Sequence, residues 1–362
     1  MMPRPLASFL CIAIQVSFLV AVCYPFTATV NRRIAASSAS HSTRPASSSS
    51  LQSQILDFVE PTTGVQVKLI GAMHYNPASI QLATDSINAL AAEDKLGSII
   101  IESCDLRWNA TVENQMIKDA LMSEMKAAYD LGIQYQRPVV LGDQRINVTV
   151  SQLKNGAKEA VLDLLQPWNG GWVRLLENIS TARKVAVPLG DNFLGLESFF
   201  DPKLLAAAPV SLIKYPLSYL VKSPVFAAAI SALILLGGVD SSDAYVNDGM
   251  SATDIFESLS LSVLETVIFA RIFLKELLAE RNEVLALNIL EQCRNYDAQN
   301  TSNGWFDKLF TNASGGDKSN DAVYAPGSVI GKPESGGKVV VAVLGLAHCN
   351  GIKKLLTEDN LL

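Results

Sequence analysis

The sequence predicts an α/β fold with a mainly parallel central sheet, flanking helices and a helical excursion. Three observations indicate this class. Short β-branched apolar runs alternate with helix-patterned segments between residues 65 and 165, a long helix-patterned region follows, and a last apolar run precedes the C-terminus. Continuous apolar runs are typical of strands buried on both faces, and strand–helix alternation is typical of parallel βαβ units with right-handed crossovers.

The first 50 residues have the composition of a targeting leader. The apolar run Phe9–Val22 is typical of a signal-peptide core, with cleavage expected before Tyr24. Residues 24–50 are rich in Ser and Ala, carry three arginines and contain no Asp or Glu, which is typical of a transit-like or disordered segment. We expect residues 1–23 to be a signal peptide and the leader to direct the chain to the secretory pathway or a plastid. The alternatives are a mitochondrion, or a secreted or endomembrane protein with a disordered stalk.

Composition limits the function of the remaining chain. The protein has 362 residues, 49% of them hydrophobic, which suits one large domain over residues 51–362. The net charge is −6, and the part after the leader carries about −10, which argues against a nucleic-acid-binding surface. This part contains three cysteines without zinc-knuckle spacing, and the odd number argues against a disulfide framework.

Three strands alternating with helices are predicted in the first part of the domain. The strands are Val65–Ile70, Ser98–Ile101 and Pro138–Leu141. The helices between them are Ala78–Lys95, preceded by Pro77, and Thr111–Leu131. Alternation of this kind places the strands side by side in one parallel sheet.

Residues 148–296 are predicted to form the helical excursion. Ser151–Leu165 and Trp172–Ala186 are candidate helices, and Asp254–Tyr296 is expected to form one or two long helices. Leu204–Val239 is strongly apolar, but its uncharged part spans only 17 residues, which is marginal for crossing a bilayer. We therefore expect a buried helix or helical hairpin, with peripheral membrane association as a further expectation.

The C-terminal part is predicted to return the chain to the sheet. Residues 299–337 are rich in Gly, Ser and Asn and are expected to be a disordered loop insertion. A strand, Lys338–Leu344, and a short helix, Ile352–Leu356, follow.

Polar side chains follow each predicted inner strand. The chain has three histidines, and the two after the leader, His74 and His348, both occur in the pattern Gly-x-x-His after an apolar run. Glu102 and Asp143 close the other two strands. Ligands bind at the carboxyl ends of parallel strands, and Gly permits a sharp turn and close backbone approach, so we expect one site at this edge. Ordinary hydrogen-bonded strand-end histidines are the alternative.

Three arginines near the strand ends suit recognition of a carboxylate or an oxyanion by forked hydrogen bonds. They are Arg107, Arg145 and Arg281. The alternative is structural ion pairing with a neighbouring acid, which would satisfy otherwise costly buried charges. Those acids are Asp105, Asp143 and Glu280.

Five short motifs, in order, carry a family resemblance from about Val65 to Leu356, apart from the predicted loop. They are Gly-Ala-Met-His, Ile-Glu-Ser-Cys-Asp-Leu-Arg, Gly-Asp-Gln-Arg-Ile-Asn-Val-Thr, Glu-Arg-Asn and Leu-Gly-Leu-Ala-His-Cys-Asn-Gly-Ile. The chain resembles the TraB/PrgY/GumN family, whose animal relatives include the Tiki proteases. In the family's Gly-Asp-Arg motif, Gln144 here separates Asp143 from Arg145, so either residue could keep the family role.

The resemblance implies a TraB/Tiki-like fold and a metal-dependent hydrolase, with a peptidase as the narrower expectation. His74, Glu102 and His348 match the family's histidines and glutamate, and two imidazoles with one carboxylate leave coordination positions open, as hydrolytic metals require. Manganese or cobalt suits the expected oxygen-rich surroundings at least as well as zinc. Arg281 and Asn282 match the family's helical pair and are expected to hold a substrate carbonyl or carboxylate.

Some roles stay open at this point. Asp143 or Glu280 is expected to accept a proton from water. Cys104 and Cys349 are either additional soft ligands or small buried residues that fill space. The substrate is expected to be a peptide or a small molecule. Because other family members are regulators or organelle-membrane proteins, the alternative function is a non-catalytic adaptor or sequestering protein for a peptide or an organelle-membrane partner.

Overall fold

A computed structural model describes residues 54–112, 122–188, 190, 192–222, 263–264, 266–300, 328–330 and 339–358. Within these residues it confirms the α/β class: one six-stranded, mostly parallel sheet is flanked by helices. The strands are β1 (Ile55–Val59), β2 (Gln66–Ala72), β3 (Leu96–Ile101), β4 (Val139–Leu141), β5 (Ser328–Ile330) and β6 (Val339–Gly345). Their spatial order is β1-β2-β6-β3-β4-β5.

The four inner strands are parallel, and the two edge strands are antiparallel to them. The last strand in sequence, β6, lies between β2 and β3. All residues of β3, β4 and β6 are buried, because helices cover both faces of the sheet. This burial explains the continuous apolar runs that predicted the strands.

The helices are α1 (Pro77–Ala92), α2 (Asp105–Val112), α3 (Glu124–Gln134), α4 (Ile146–Leu165), α5 (Gly171–Ala186), α6 (Leu196–Phe199), α7 (Pro202–Lys222), α8 (Glu280–Asn300) and α9 (Leu346–Thr357). A π-helical segment, Phe273–Ala279, leads directly into α8. The helices α1 and α3 pack on one face of the sheet, and α8 and α9 pack on the other.

Several predicted boundaries are wrong. The segment predicted as one helix, Thr111–Leu131, contains the end of α2 and the start of α3, whose N-cap is Ser123. The final helix begins at Leu346 rather than Ile352. The predicted loop at 299–337 contains β5, a short edge strand that the surrounding Gly, Ser and Asn residues conceal. The remainder of that loop from residue 301 on, and the leader, lie outside the described residues.

The apolar segment Leu204–Val239 is described only as far as Lys222, where α7 ends. Among the helices that the structure describes, none combines the length and the apolar character required to cross a membrane. The rest of the segment lies outside the described residues.

A buried carboxylate organises the turn between β1 and β2. Both oxygens of Glu60 accept hydrogen bonds: the backbone N–H groups of Thr62 and Thr63 donate at 3.0 and 2.8 Å, and the two hydroxyls at 2.5–2.9 Å. Burial opposes ionisation of Glu60, but these hydrogen bonds outweigh it and lower the pKa of Glu60 below its ordinary value.

We expect Glu60→Gln to lower the free energy of unfolding at pH 7 by about 1–3 kcal/mol, because an amide has only one acceptor oxygen. The carboxylate has a lower pKa in the folded state, so its stabilising effect is complete above the pKa of an unfolded Glu, about 4.3, and is lost as the pH falls through the folded value. Urea titrations from pH 7 down to pH 3 should show the difference between wild type and variant shrinking. A difference independent of pH would contradict this role, and exposed Glu93→Gln is the control.

Candidate active site

Three predicted site residues meet at the carboxyl ends of three neighbouring strands. His74 follows β2, Glu102 follows β3, and His348 lies in the first turn of α9 directly after β6. The backbone N–H of Gly345, the last residue of β6, donates to Glu102 Oε2 at 2.5 Å. The position of a Cβ atom on Gly345 would be 3.1 Å from Glu102 Oε2, 3.2 Å from His74 Nε2 and 3.5 Å from His348 Cδ2. The three side chains therefore surround one point beside the glycine.

Each imidazole is held by an oxygen acceptor at its Nδ1 atom. Glu124 Oε1 lies 2.6 Å from Nδ1 of His74, and Asn282 Oδ1 lies 2.6 Å from Nδ1 of His348. An oxygen acceptor requires the hydrogen on Nδ1, so the Nε2 atom of each ring is the one directed toward the site. His348 Nε2 is 3.4 Å from Glu102 Oε1. Metal-binding histidines have this arrangement, with the second ring nitrogen hydrogen-bonded to an oxygen.

Arg281, in the first turn of α8, links two buried carboxylates. Its Nη2 donates to Glu102 Oε1 at 2.5 Å and to Asp143 Oδ2 at 2.6 Å, and its Nε donates to Asp143 Oδ1 at 3.0 Å. Arg107 donates a further hydrogen bond to Asp143. The guanidinium groups of Arg107 and Arg281 thus both bind Asp143, and that of Arg281 also binds Glu102.

Burial and charge act in opposite directions on these carboxylates. Burial alone would raise the pKa of Glu102, but His348 and Arg281 outweigh it and hold that pKa well below its ordinary value. Burial likewise opposes ionisation of Asp143, and Arg281 with Arg107 lowers its pKa nonetheless. At His74, burial lowers the pKa, but the hydrogen bond and charge of Glu124 raise it to about 9. The carboxylates are therefore held ionised in the interior.

Two predicted catalytic residues lie apart from this group. Arg145 pairs with Asp105 at 2.9 Å, and its side chain is 52% exposed. Glu280 is half-buried, and burial together with the charge of Glu276 raises its pKa. The alternative of structural ion pairing is confirmed for all three arginines, but the partners differ from the neighbours in sequence, because Arg107 and Arg281 bind Asp143 and Arg145 binds Asp105.

The predicted soft ligands are buried among core residues. Cys349 belongs to the hydrophobic cluster on the α8–α9 side of the sheet, and its Sγ would lie 3.2 Å from a Cβ atom on Gly71. Cys104 is also buried. Cys349 therefore occupies the position of a small residue that fills space, whereas Cys104 interacts with Arg107.

The site is reached from the His74 side. The side chain of His74 is 27% exposed, whereas those of Glu102 and His348 are 4% and 6% exposed. Tyr215 of α7 places its ring nearly parallel to the His74 imidazole, with the centroids 6.0 Å apart. The start of α7 is tied to the same strand end, because Asn76 Nδ2 donates to the backbone oxygen of Leu204 at 3.0 Å. The exposed side of the site therefore lies beside α7.

Sequence reasoning missed Glu124. It occurs inside a segment predicted as one continuous helix, where a charged residue is normally solvated. The signal in the sequence was Ser123 before an acidic residue, which is typical of a helix N-terminus. A helix that starts there and leads into β4 must begin at the carboxyl edge of the sheet, next to His74.

The donor types fit a divalent cation. Nε2 of His74 and a carboxylate oxygen of Glu102 face a space that a methyl group on Gly345 would fill. His348 borders that space with Cδ2 and places its Nε2 beside Glu102 Oε1, and both Nδ1 atoms are already engaged by acceptors. As the side chains stand, however, no group of three or more His, Cys, Asp or Glu residues in the described part of the chain is spaced to hold a metal ion. The present spacing is that of hydrogen-bonded neighbours, so a shared ion stays a prediction.

Comparisons of the chain with protein-family models, with curated proteins and with solved structures found no significant match.

Proposed function

We propose that this protein is a metal-dependent hydrolase of the TraB/Tiki type. The observation that carries the proposal is the convergence of His74, Glu102 and His348 beside Gly345, with Nε2 of His74 at that point and Nε2 of His348 beside Glu102 Oε1. The resemblance to the TraB/PrgY/GumN family, which includes the same three residues, is consistent with it. A bound divalent cation would supply Lewis-acid activation of a carbonyl group and of water.

In this proposal His74, Glu102 and His348 hold the cation, and the surrounding residues orient them. Arg281 holds Glu102 ionised, and Asn282 fixes the ring of His348. Both residues are engaged in these contacts, so the proposal gives them positioning roles in place of the predicted contact with substrate.

Proton transfer is assigned to neither Asp143 nor Glu280. Two arginines lower the proton affinity of Asp143, and the charges that act on Glu280 are those of Glu276, Lys275, Arg271 and Glu283. The substrate is a peptide or small molecule with a hydrolysable carbonyl group, which enters on the exposed side of His74.

The test is metal binding by His74→Ala and His348→Ala. Each variant should bind Mn²⁺ or Co²⁺ at least about 100-fold more weakly than wild type and lose hydrolysis of a peptide panel, because a lost ligand costs more than a lost supporting residue. Zn²⁺ is titrated alongside to rank the metals, and Glu93→Gln is the control. Thermal unfolding checks that the fold survives.

Unchanged metal content in both histidine variants would exclude the proposed hydrolase. The remaining function would then be the binding of a partner without catalysis.

A further inference from the structure

Glu124 was not predicted to be a site residue, but it contacts His74 on the exposed side of the candidate site. It is the first residue of α3, and its side chain is 1% exposed. Both of its oxygens are used: Oε1 contacts His74 Nδ1 at 2.6 Å, and Oε2 accepts from the backbone N–H of Tyr75 at 3.0 Å. One carboxylate therefore holds both the ring of His74 and the backbone that follows it.

The backbone at this point adopts an uncommon conformation. Tyr75 has φ +61, which places a bulky residue in the left-handed region. Such conformations persist only where surrounding contacts hold them. The hydrogen bond from Tyr75 N–H to Glu124 is one such contact, so the carboxylate fixes the direction in which the chain presents His74.

A carboxylate at this position has a consequence that a neutral acceptor would not have. It keeps the hydrogen of His74 on Nδ1 and increases the electron density of the ring, which makes Nε2 a stronger donor to a cation. The other imidazole, His348, has an amide oxygen from Asn282 in the same position. The more exposed imidazole, that of His74, is therefore supported by a charged carboxylate, whereas that of His348 is supported by a neutral amide.

We infer that Glu124 is a positioning residue that sets the metal affinity of the site through His74. This inference rests on the proposed function. It gives helix α3 a role in the site that neither the sequence motifs nor the positions of the strand ends indicated. Glu124 does not face the shared point beside Gly345, so it acts through the imidazole.

The experiment measures Co²⁺ binding by the full-length protein and its variants, with the visible spectrum of the bound ion as the second readout. We expect Glu124→Gln to weaken binding about 10-fold, because an amide can satisfy only one of the two donors. Glu124→Ala should weaken it about 100-fold. The cobalt spectrum should shift in both variants, since the orientation of one ligand changes. Glu177→Gln, an exposed change on α5, is the matched control.

A double variant separates positioning from a general structural effect. If Glu124 acts through His74, then His74→Ala with Glu124→Gln should bind Co²⁺ as weakly as His74→Ala alone. Additive losses, or Glu124 variants with wild-type affinity and spectrum, would overturn the inference while leaving the metal site in place. Equal Co²⁺ binding by wild type and His74→Ala alone would overturn the inference, and equal binding by wild type, His74→Ala and His348→Ala would overturn the proposed function with it.

Loss of the fold is checked independently. Circular dichroism and thermal unfolding should show that Glu124→Gln remains folded. An NMR spectrum of metal-free protein labelled with ¹⁵N-histidine, which contains only three histidines, should show protected Nδ1–H signals from both His74 and His348 in wild type. The signal of His74, assigned by its absence in His74→Ala, should be lost in Glu124→Ala. Its persistence in Glu124→Ala would overturn the inference.

Discussion

Replacement of Arg281 by Met is expected to lower the free energy of unfolding by about 3–5 kcal/mol, because it leaves two buried carboxylates without their shared cation. The side chains of Glu102 and Asp143 are 4% and 0% exposed, so water cannot replace the guanidinium. Arg107 would still contact Asp143, but Glu102 would keep only the N–H of Gly345 and the imidazole of His348. Urea unfolding at pH 7 measures the change.

The control for this prediction is Arg145→Met. Arg145 also forms an ion pair with an aspartate, but that pair is exposed, and exposed pairs contribute about 0–1 kcal/mol. Lysine at position 281 should recover only part of the loss, since an ammonium group cannot make the forked contact with Asp143. Equal effects of Arg281→Met and Arg145→Met would show that the buried network does not stabilise the fold.

The convergence of the site residues followed from the sequence, but the order of the strands did not. Strand ends in a parallel sheet point the same way, which was sufficient to place His74, Glu102 and His348 on one edge. Their proximity depends on β6, the last strand in sequence, lying between β2 and β3. The position of β6 within the sheet cannot be read from the local periodicity of the sequence, because each inner strand is buried on both faces whichever strands lie beside it.

Ion pairing was harder to predict than the site itself. Sequence proximity favoured Arg281 with Glu280, whereas the helix directs Arg281 toward Asp143 and Glu102. A π-helical segment ends just before this residue and changes the phase of the helix by its wider turn. The direction of a side chain after such an irregularity cannot be read from a regular 3.6-residue period.

Of the two roles predicted for the glycine before a histidine, close approach is confirmed at Gly345 and a sharp turn is not. Gly345 was predicted to provide both a sharp turn and close approach, yet its φ −57 and ψ 136 are accessible to any L-residue. The close approach is what the site requires, because Glu102, His74 and His348 occupy the space around its missing side chain. Space, rather than backbone freedom, explains glycine here.

Gly345→Ala is therefore expected to abolish metal binding while preserving the fold. Its methyl group would lie 3.1–3.5 Å from the three side chains, in the space that a cation would need. We expect Co²⁺ affinity to fall at least about 100-fold, beyond what loss of a supporting residue costs. The free energy of unfolding should fall by about 1–3 kcal/mol, because the backbone conformation suits alanine but Glu102 and His74 must move to admit the methyl group.

A second glycine separates occupancy of the site from stability. Gly64 lies in the β1–β2 turn with φ +69, and a methyl group added to it would have nothing within 4 Å. Gly64→Ala should lower the free energy of unfolding by about 1 kcal/mol through backbone strain and leave Co²⁺ affinity unchanged. If Gly345→Ala binds Co²⁺ as wild type does, the ion cannot lie at the point where the three side chains meet.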